Sequence, residues 1–125
     1  MSEVPSPLVL IVDDDPDGRD VYSETLTSSG FRVEEARDGF EATDKGYKLK
    51  PDVILMDLLM PRLDGWEVVD WLKKNPATCD IPIVAVTGAG PAEVTLAMEA
   101  GCRSVLLKPC PPEELLAEIH RVLGR

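Results

Sequence analysis

Short apolar runs alternate with longer amphipathic segments along the chain. Apolar runs of four to six residues that end at polar or turn-forming residues predict buried strands. The predicted strands are Leu8–Val12, Phe31–Ala36, Val53–Met56, Ile81–Val86 and Ser104–Leu107. Most of these runs are continuous, which is typical of a parallel sheet covered on both faces. Phe31–Ala36 alternates in part, so we expect it at a sheet edge.

The segments between the strands carry the start signals and the apolar spacing of helices. The predicted helices are Pro16–Ser29, Gly39 to about Leu49, Gly65–Lys74, Pro91–Ala100 and a last helix that begins near Pro111-Pro112. In the last helix an apolar stripe consists of Leu115, Leu116, Ile119, Val122 and Leu123. Five strand–helix units with right-handed crossovers predict an α/β fold, a doubly wound five-stranded parallel sheet with helices on both faces.

The length and composition predict one domain. The chain has 125 residues, of which 44% are hydrophobic and 29% charged. This length is near the commonest size of a domain, and this composition is ordinary for a globular protein. We interpret residues 1–7 as a flexible leader and residues 8–125 as the folded domain.

The charge excludes several classes of partner. A formal net charge of −10 disfavours binding to nucleic acid or to an anionic membrane, since both need clustered Lys and Arg. Apolar runs are too short to span a bilayer, and the leader lacks a signal-peptide pattern. We therefore expect a cytoplasmic protein with no nucleic-acid or membrane partner. Three cysteines without a CxxC pair and a single histidine, His120, suggest neither a disulfide framework nor a zinc site.

Polar residues follow four of the predicted strands. Asp13-Asp14-Asp15 follows the first, Asp57 the third, Thr87 the fourth and Lys108 the fifth. In open α/β sheets the ligand crevice lies at the carboxyl ends of the strands, so these side chains are expected to converge. Each one alone could be an ordinary solvated strand end, but the four together indicate a site.

The donor types at this edge favour a metal and a phosphoryl group. Carboxylates on neighbouring strands repel one another unless a cation lies among them, and oxygen ligands suit Mg²⁺ or Mn²⁺. Lys108 and Thr87 add a cation and a hydroxyl that fit phosphoryl oxygens. Asp57 occupies the central position and is the candidate nucleophile, whereas Asp13 and Asp14 are the candidate metal ligands. Asp15 precedes Pro16 and is better placed as a helix cap.

The chain resembles the receiver domain of two-component response regulators. The resemblance rests on Ile11-Val12-Asp13-Asp14-Asp15-Pro16, Met56-Asp57-Leu58-Leu59-Met60-Pro61 followed by Asp64-Gly65, Val86-Thr87-Gly88 and Leu107-Lys108-Pro109. It covers essentially the whole chain. It implies a (βα)5 domain of flavodoxin-like strand order 2-1-3-4-5 with a cis Lys108–Pro109 bond.

The resemblance also implies roles for the site residues. Asp57 would accept a phosphoryl group in a Mg²⁺-dependent reaction, and the domain would catalyse only its own phosphorylation and dephosphorylation. Asp14 and Asp57 would ligate the metal directly, Asp13 largely through water, and Leu59 through its backbone carbonyl. Lys108 and the Thr87 hydroxyl would contact phosphoryl oxygens.

Partners follow from the same resemblance. The phosphoryl donor would be a phosphohistidine on a sensor histidine kinase or a histidine phosphotransfer protein, with specificity on the first helix around Arg19, Tyr22 and Ser23. A downstream protein effector would bind the face formed by the fourth helix, fifth strand and fifth helix. The domain is expected to be a monomer or a weak dimer.

Three positions depart from the family pattern. Val105 stands where many receivers have an aromatic switch residue, so the expected signal must travel without a turning ring. Leu59 and Ala89 are apolar at positions where polar residues often assist the hydrolytic water. We therefore expect a phosphoaspartate that persists for many minutes.

Two other interpretations stay open from the sequence. The chain could be a receiver that belongs to a larger regulator or hybrid kinase rather than a stand-alone switch. A haloacid-dehalogenase-like phosphatase would instead use Asp13 and Asp15 and would not need Asp57. A third interpretation, a degenerate receiver that only binds a partner, is disfavoured because every phosphorylation residue is present.

Overall fold

The computed structural model describes residues 6–60, 63–88 and 90–124. The main strands are β1 (Leu8–Val12), β2 (Arg32–Ala36), β3 (Val53–Asp57), β4 (Ile83–Thr87) and β5 (Ser104–Leu107). The helices are α1 (Pro16–Ser28), α2 (Gly39–Leu49), α3 (Gly65–Lys74), α4 (Pro91–Glu99) and α5 (Pro112–Leu123). Predicted and observed bounds agree within two residues.

The five strands form one parallel sheet in the order β2-β1-β3-β4-β5. This order confirms the predicted doubly wound fold and places β2 at an edge. The structure adds a short antiparallel ribbon, Leu59–Met60 with Leu63–Asp64, that the sequence did not predict. Two-residue strands carry too little periodicity to be seen in a sequence.

The predicted fourth strand began two residues too early. The amide of Ile81 donates to the carbonyl of Thr78 at 3.0 Å, so this residue belongs to the turn after α3. Pro82 has no amide to donate, although its carbonyl accepts from Ile54 at 3.0 Å. At the other end, β4 extends to Thr87, which pairs with Leu107.

The sheet separates two hydrophobic cores, because successive side chains of a strand point to opposite faces. On one face, alternate residues of β1, β3 and β4 pack with α2, α3 and α4; buried members include Leu10, Ile54, Ile83, Ala42, Leu72 and Ala97. On the other face, the intervening residues pack with α1 and α5; buried members include Val9, Leu55, Val84, Leu26, Leu115 and Ile119.

Aspartate side chains cap the N-termini of α1 and α2. The Asp15 carboxylate accepts from the Asp17 amide at 3.1 Å, which confirms that Asp15 caps α1. Asp38 caps α2 in the same way, accepting from the Glu41 amide at 2.8 Å. No helix within the described ranges is long and apolar enough to cross a membrane.

The predicted leader lies mostly outside the described residues, which begin at Ser6. The carbonyl of Pro7 accepts from the backbone amide of Arg32 at 2.9 Å. The carbonyl of Ser6 accepts from the Arg32 guanidinium at 2.8 Å. These two residues are therefore attached to the edge strand.

Candidate functional site

Parallel pairing brings the polar strand ends to one edge of the sheet. Asp57 is the last residue of β3 and is 5% exposed, and Thr87 is the last residue of β4 and is 1% exposed. Asp57 pairs with Val86, so Thr87 lies one residue further along the neighbouring strand. Asp13 directly follows β1 and is 6% exposed. Buried carboxylates at the end of a sheet need compensating groups.

Lys108 supplies one such group to Asp57. Its ammonium lies 2.7 Å from the Asp57 carboxylate, measured from Nζ to Oδ2. The Lys108 amide donates to the Thr87 carbonyl at 2.8 Å, which fixes the start of the side chain beside β4. Burial alone would lower the pKa of Lys108, but its hydrogen bond to Asp57 and the attraction of Asp57 and Asp13 raise this pKa overall. The lysine therefore stays cationic at the site.

Asp13 is desolvated and close enough to Asp57 to be repelled by it. Burial and, secondarily, the negative charge of Asp57 raise the pKa of Asp13, although the Asp15 amide and the Lys108 ammonium act in the opposite direction. The Asp13 carboxylate accepts from that Asp15 amide at 2.9 Å. Two nearby buried carboxylates thus carry more negative charge than one lysine neutralises.

Two glycines allow close approach around these carboxylates. A Cβ on Gly65 would lie 2.8 Å from the Asp57 carbonyl oxygen and 2.9 Å from the Leu58 Cα. Both contacts are with backbone, so α3 can begin beside Asp57 only at a residue without a side chain. A Cβ on Gly18 would lie 3.0 Å from Oδ2 of Asp13. The motif Asp64-Gly65 does not by itself reveal this steric reason for the glycine.

Arg19 was expected among the exposed partner-specificity residues of the first helix, but the structure places it elsewhere. Its guanidinium donates to the Asp13 carbonyl at 2.7 Å and to Glu35 at 3.0 Å, and its side chain is only 15% exposed. It therefore connects α1 to the backbone that carries Asp13, rather than lying open on the first helix. A cation near a helix N-terminus is electrostatically unfavourable. This unfavourable position was the only feature of the sequence that indicated a structural role for Arg19.

The remaining predicted positions are placed as follows. Asp14 follows Asp13 and is half-buried. Leu59 begins the short ribbon two residues after Asp57. Val105, in β5, is partly buried and packs against the core shared with α2, α3 and α4. Ala89 lies outside the described residues, so the expected effect on phosphoaspartate lifetime stays a prediction.

Asp15 does not join the site, because it is exposed and its carboxylate caps α1. A phosphatase built on Asp13 and Asp15 would therefore lack its second acid in the crevice. All three cysteines are free: Cys102 and Cys110 are buried, and Cys79 is half-buried. Such burial is typical of small structural thiols. The Lys108–Pro109 bond is cis, as the resemblance implied.

The donors at this edge are of the type that Mg²⁺ prefers. Asp13 and Asp57 are buried carboxylates that repel each other, so a divalent cation would relieve an unfavourable charge arrangement. No three His, Cys, Asp or Glu side chains in the described ranges are grouped so as to hold a metal ion by themselves. Mg²⁺ commonly takes one or two carboxylates and keeps several waters, so the residues present fit this ion.

Comparisons with known proteins agree with the fold and show the family. The family model described as response regulator receiver domain matches residues 9–120. The chemotaxis response regulator CheY4 of Vibrio cholerae is 36% identical, with a TM-score of 0.88 over 94% of this chain and 99% of that one. A putative response regulator from Chloroflexus aurantiacus is 31% identical, with a TM-score of 0.89 over 96% of this chain and 99% of that one.

Longer relatives match as well. The DNA-binding dual master transcriptional regulator RpaA of Synechocystis is 35% identical over 120 residues, which is 95% of this chain and 50% of that protein. Response regulator MprA of Mycobacterium sp. (strain KMS) is 38% identical over 118 residues, or 94% of this chain and 50% of that protein. The chain thus spans about half the length of these curated relatives.

Proposed function

Because this chain belongs to the family of response regulator receiver domains, we propose that it is a phosphoacceptor switch whose acceptor is Asp57. The observation that carries the proposal is the contact between the buried Asp57 carboxylate and Lys108, with Nζ and Oδ2 2.7 Å apart. A carboxylate that is held beside a cation at the end of a sheet can attack phosphorus while the developing charge is neutralised.

The proposed reaction is an in-line phosphoryl transfer. A carboxylate oxygen of Asp57 forms a bond to the phosphorus of a phosphohistidine, the phosphorus–nitrogen bond breaks, and the imidazole leaves with the electron pair and takes up a proton. Lys108 then exchanges its contact with the free carboxylate for one with a phosphoryl oxygen. The Thr87 hydroxyl, at the end of the adjacent strand, donates to another.

Asp14 and Asp57, with Asp13 acting largely through water and Leu59 through its backbone carbonyl, are the proposed Mg²⁺ ligands. When bound, the ion supplies charge neutralisation of the phosphoryl oxygens. The Arg19 guanidinium donates to the Asp13 carbonyl and so holds the backbone that carries Asp13. Mn²⁺ could replace Mg²⁺, since both prefer oxygen ligands.

The proposed output surface is formed by α4, β5 and α5. Leu96 and Met98 of α4 are 50% and 48% exposed, and Leu107 of β5 is 53% exposed. Exposed apolar side chains on α4 and β5 suit contact with a protein effector. Val105 lies in the same strand but packs inward, so we expect a signal that depends on movement of Thr87 and the backbone around it.

The proposed donor is a sensor histidine kinase or a histidine phosphotransfer protein, and the chain modifies only itself rather than turning over a separate substrate. A cytoplasmic location would suit that chemistry. The name of RpaA describes that protein as DNA-binding. For the chain described here, the net charge of −10 disfavours direct contact with nucleic acid.

The test is phosphorylation by acetyl phosphate in the presence of Mg²⁺, followed by intact-protein mass spectrometry. The wild type should gain one phosphoryl group, and omission of Mg²⁺ should abolish the gain. Asp57→Asn should gain none. Asp80→Asn, which changes an exposed aspartate, is the matched control and should react like the wild type.

An unmodified wild type under conditions that phosphorylate a known receiver would refute the proposal. So would a phosphoryl group that remains in Asp57→Asn, because the acceptor would then be another residue.

A further inference from the structure

Large aromatic side chains are exposed together on the α2–α3 surface. The chain has two Phe, two Tyr and two Trp, and one of each type lies here. Phe40 is 79% exposed, Tyr47 54% and Trp71 41%. Single exposed apolar residues are ordinary, but a group of aromatic rings on one surface marks a site of interaction.

Helix spacing and close helix packing bring these rings together. Phe40, Asp44 and Tyr47 fall at i, i+4 and i+7 of α2, and Glu67, Asp70 and Trp71 fall at i, i+3 and i+4 of α3. A Cβ on Gly46 would lie 3.1 Å from a methyl of Leu72. The two helices thus approach closely at the residues adjacent to Tyr47 and Trp71.

The surface contains two adjoining concavities with Trp71 and Asn75 in both. One has a volume of about 320 Å³ and is also lined by Phe40, Thr43, Asp44 and Tyr47. The other has a volume of about 450 Å³ and is also lined by Glu67, Asp70, Lys74 and Pro76. Together they form a groove that continues past the Trp71 ring, which suits an extended ligand better than a single small ion.

The charge of this groove is negative. Among the described lining residues the carboxylates of Asp44, Glu67 and Asp70 outnumber the ammonium of Lys74. Asp44 and Asp70 pair with Lys48 and Lys74 at 3.0 Å, but both pairs are exposed i,i+4 pairs on one helix. Such pairs are weak and readily exchange for another cation.

We propose that this α2–α3 groove binds an arginine-bearing polypeptide segment of another protein. A guanidinium can stack on the rings of Trp71 and Tyr47 while its planar donors contact the Asp44 or Asp70 carboxylate. A second copy of this chain is a poorer occupant, because two molecules of net charge −10 repel each other. The site is separate from Asp57, so it gives a signalling switch a second protein contact that needs no phosphoryl group.

The test is a titration of the full ¹⁵N-labelled chain with the peptide acetyl-Ala-Arg-Ala-Arg-Ala-amide, followed by ¹⁵N–¹H NMR. Amides of α2 and α3 and the Trp71 indole N–H should shift in a saturable manner. The isosteric peptide with citrulline in place of arginine keeps the shape but removes the charge. Its binding should be weaker by roughly two- to fivefold, the range expected for loss of an exposed cation–π contact.

Variants distinguish binding in the groove from general electrostatic attraction to the acidic protein. Trp71→Ala should weaken arginine-peptide binding by at least about twofold through loss of the cation–π contact, and Asp44→Asn should weaken it through loss of an ion pair. Asp80→Asn, which neutralises an exposed aspartate that lines neither concavity, is the matched control and should bind like the wild type. Circular dichroism of each variant establishes that it is folded.

Several results would overturn the proposal. Shifts scattered over all acidic surfaces would indicate non-specific attraction, and equal binding of the citrulline peptide would indicate an apolar groove without cation recognition. Sedimentation that depends on protein concentration in the wild type but not in Trp71→Ala would show that copies of the chain cover the groove. Asp57→Asn should bind the peptide normally, so failure of the phosphoacceptor proposal would not affect this one.

Discussion

The ammonium of Lys108 reaches across the end of β4 to the Asp57 carboxylate, with 2.7 Å between Nζ and Oδ2. The two residues are 51 positions apart in the chain. Their contact joins β5 to β3 although neither strand pairs with the other. It also compensates the negative charge of a buried acid.

Lys108→Met should destabilise the protein at pH 7 in the absence of Mg²⁺. It leaves the 5% exposed Asp57 without its cation, and we expect a loss of about 1–2 kcal/mol, moderated because the lysine itself is partly solvated. Urea unfolding of both single variants and of Asp57→Asn/Lys108→Met gives the coupling energy. The double variant should be more stable than Lys108→Met; additive losses would contradict a direct pairing.

Asp13→Asn should raise the free energy of unfolding without Mg²⁺ by about 1 kcal/mol, the usual size of one polar substitution. It removes a desolvated charge that Asp57 repels, while its oxygen can still accept from the Asp15 amide. The wild type should gain stability as Mg²⁺ is added, by mass action, and the variant should gain less. Equal Mg²⁺ responses in thermal unfolding would argue against Asp13 as part of the metal site.

Gly65→Ala should cost about 1–3 kcal/mol, because its Cβ would press on the backbone of Asp57 and Leu58. The displaced Asp57 should also accept phosphoryl groups more slowly from acetyl phosphate. Gly88→Ala is the matched control for stability, since a Cβ there meets nothing within 4 Å. Similar unfolding midpoints for the two variants would show that α3 can move away from β3 at little cost.

Thr78→Val should lower the free energy of unfolding by about 1–3 kcal/mol. The Thr78 hydroxyl is buried and donates to the Leu72 carbonyl at 2.7 Å, so valine would leave that carbonyl unsatisfied. Thr95→Val changes an exposed hydroxyl that donates to Pro91 at 3.3 Å and should stay within about 0.5 kcal/mol of the wild type. Denaturant unfolding that ranks the two variants equally would count against this role of Thr78.

Cys102 should resist alkylation in the folded protein. Burial raises the pKa of Cys102 to about 11, although nearby Lys73 acts in the opposite direction. About one thiol in a thousand is then ionised at pH 8, and only the thiolate reacts with iodoacetamide. Peptide mapping should find Cys79 modified first and Cys102 last, with a rate at Cys102 that rises about tenfold per pH unit below its pKa. Denaturation in urea should equalise the three; rapid native labelling of Cys102 would contradict its burial.

The sequence was sufficient for features that repeat or that concentrate at strand ends. Apolar periodicity predicted every main strand and helix, and the residues after four strands predicted which side chains meet at the carboxyl edge. The strand boundary at Ile81 was wrong because a turn hydrogen bond, rather than hydrophobicity, decides where β4 begins.

What could not be predicted depends on close contacts between distant segments. The donation from Arg19 to the Asp13 carbonyl requires the position of α1 over β1, and the clearance at Gly65 requires the approach of α3 to β3. Neither leaves a periodic trace in the sequence. The exposed rings of Tyr47 and Trp71 were likewise invisible, because each fits its own helix and only the packing of α2 on α3 brings them side by side.

The division of the interior into two cores by the sheet has a consequence for protein engineering. Among the described residues, the buried side chains beneath α1 and α5 form one cluster and those beneath α2, α3 and α4 form another, with the strand backbone between them. Substitutions on opposite sides should combine additively. The α1–α5 side could therefore be repacked while the α2–α3 side keeps its shape, so that the two sides of one small domain can change separately.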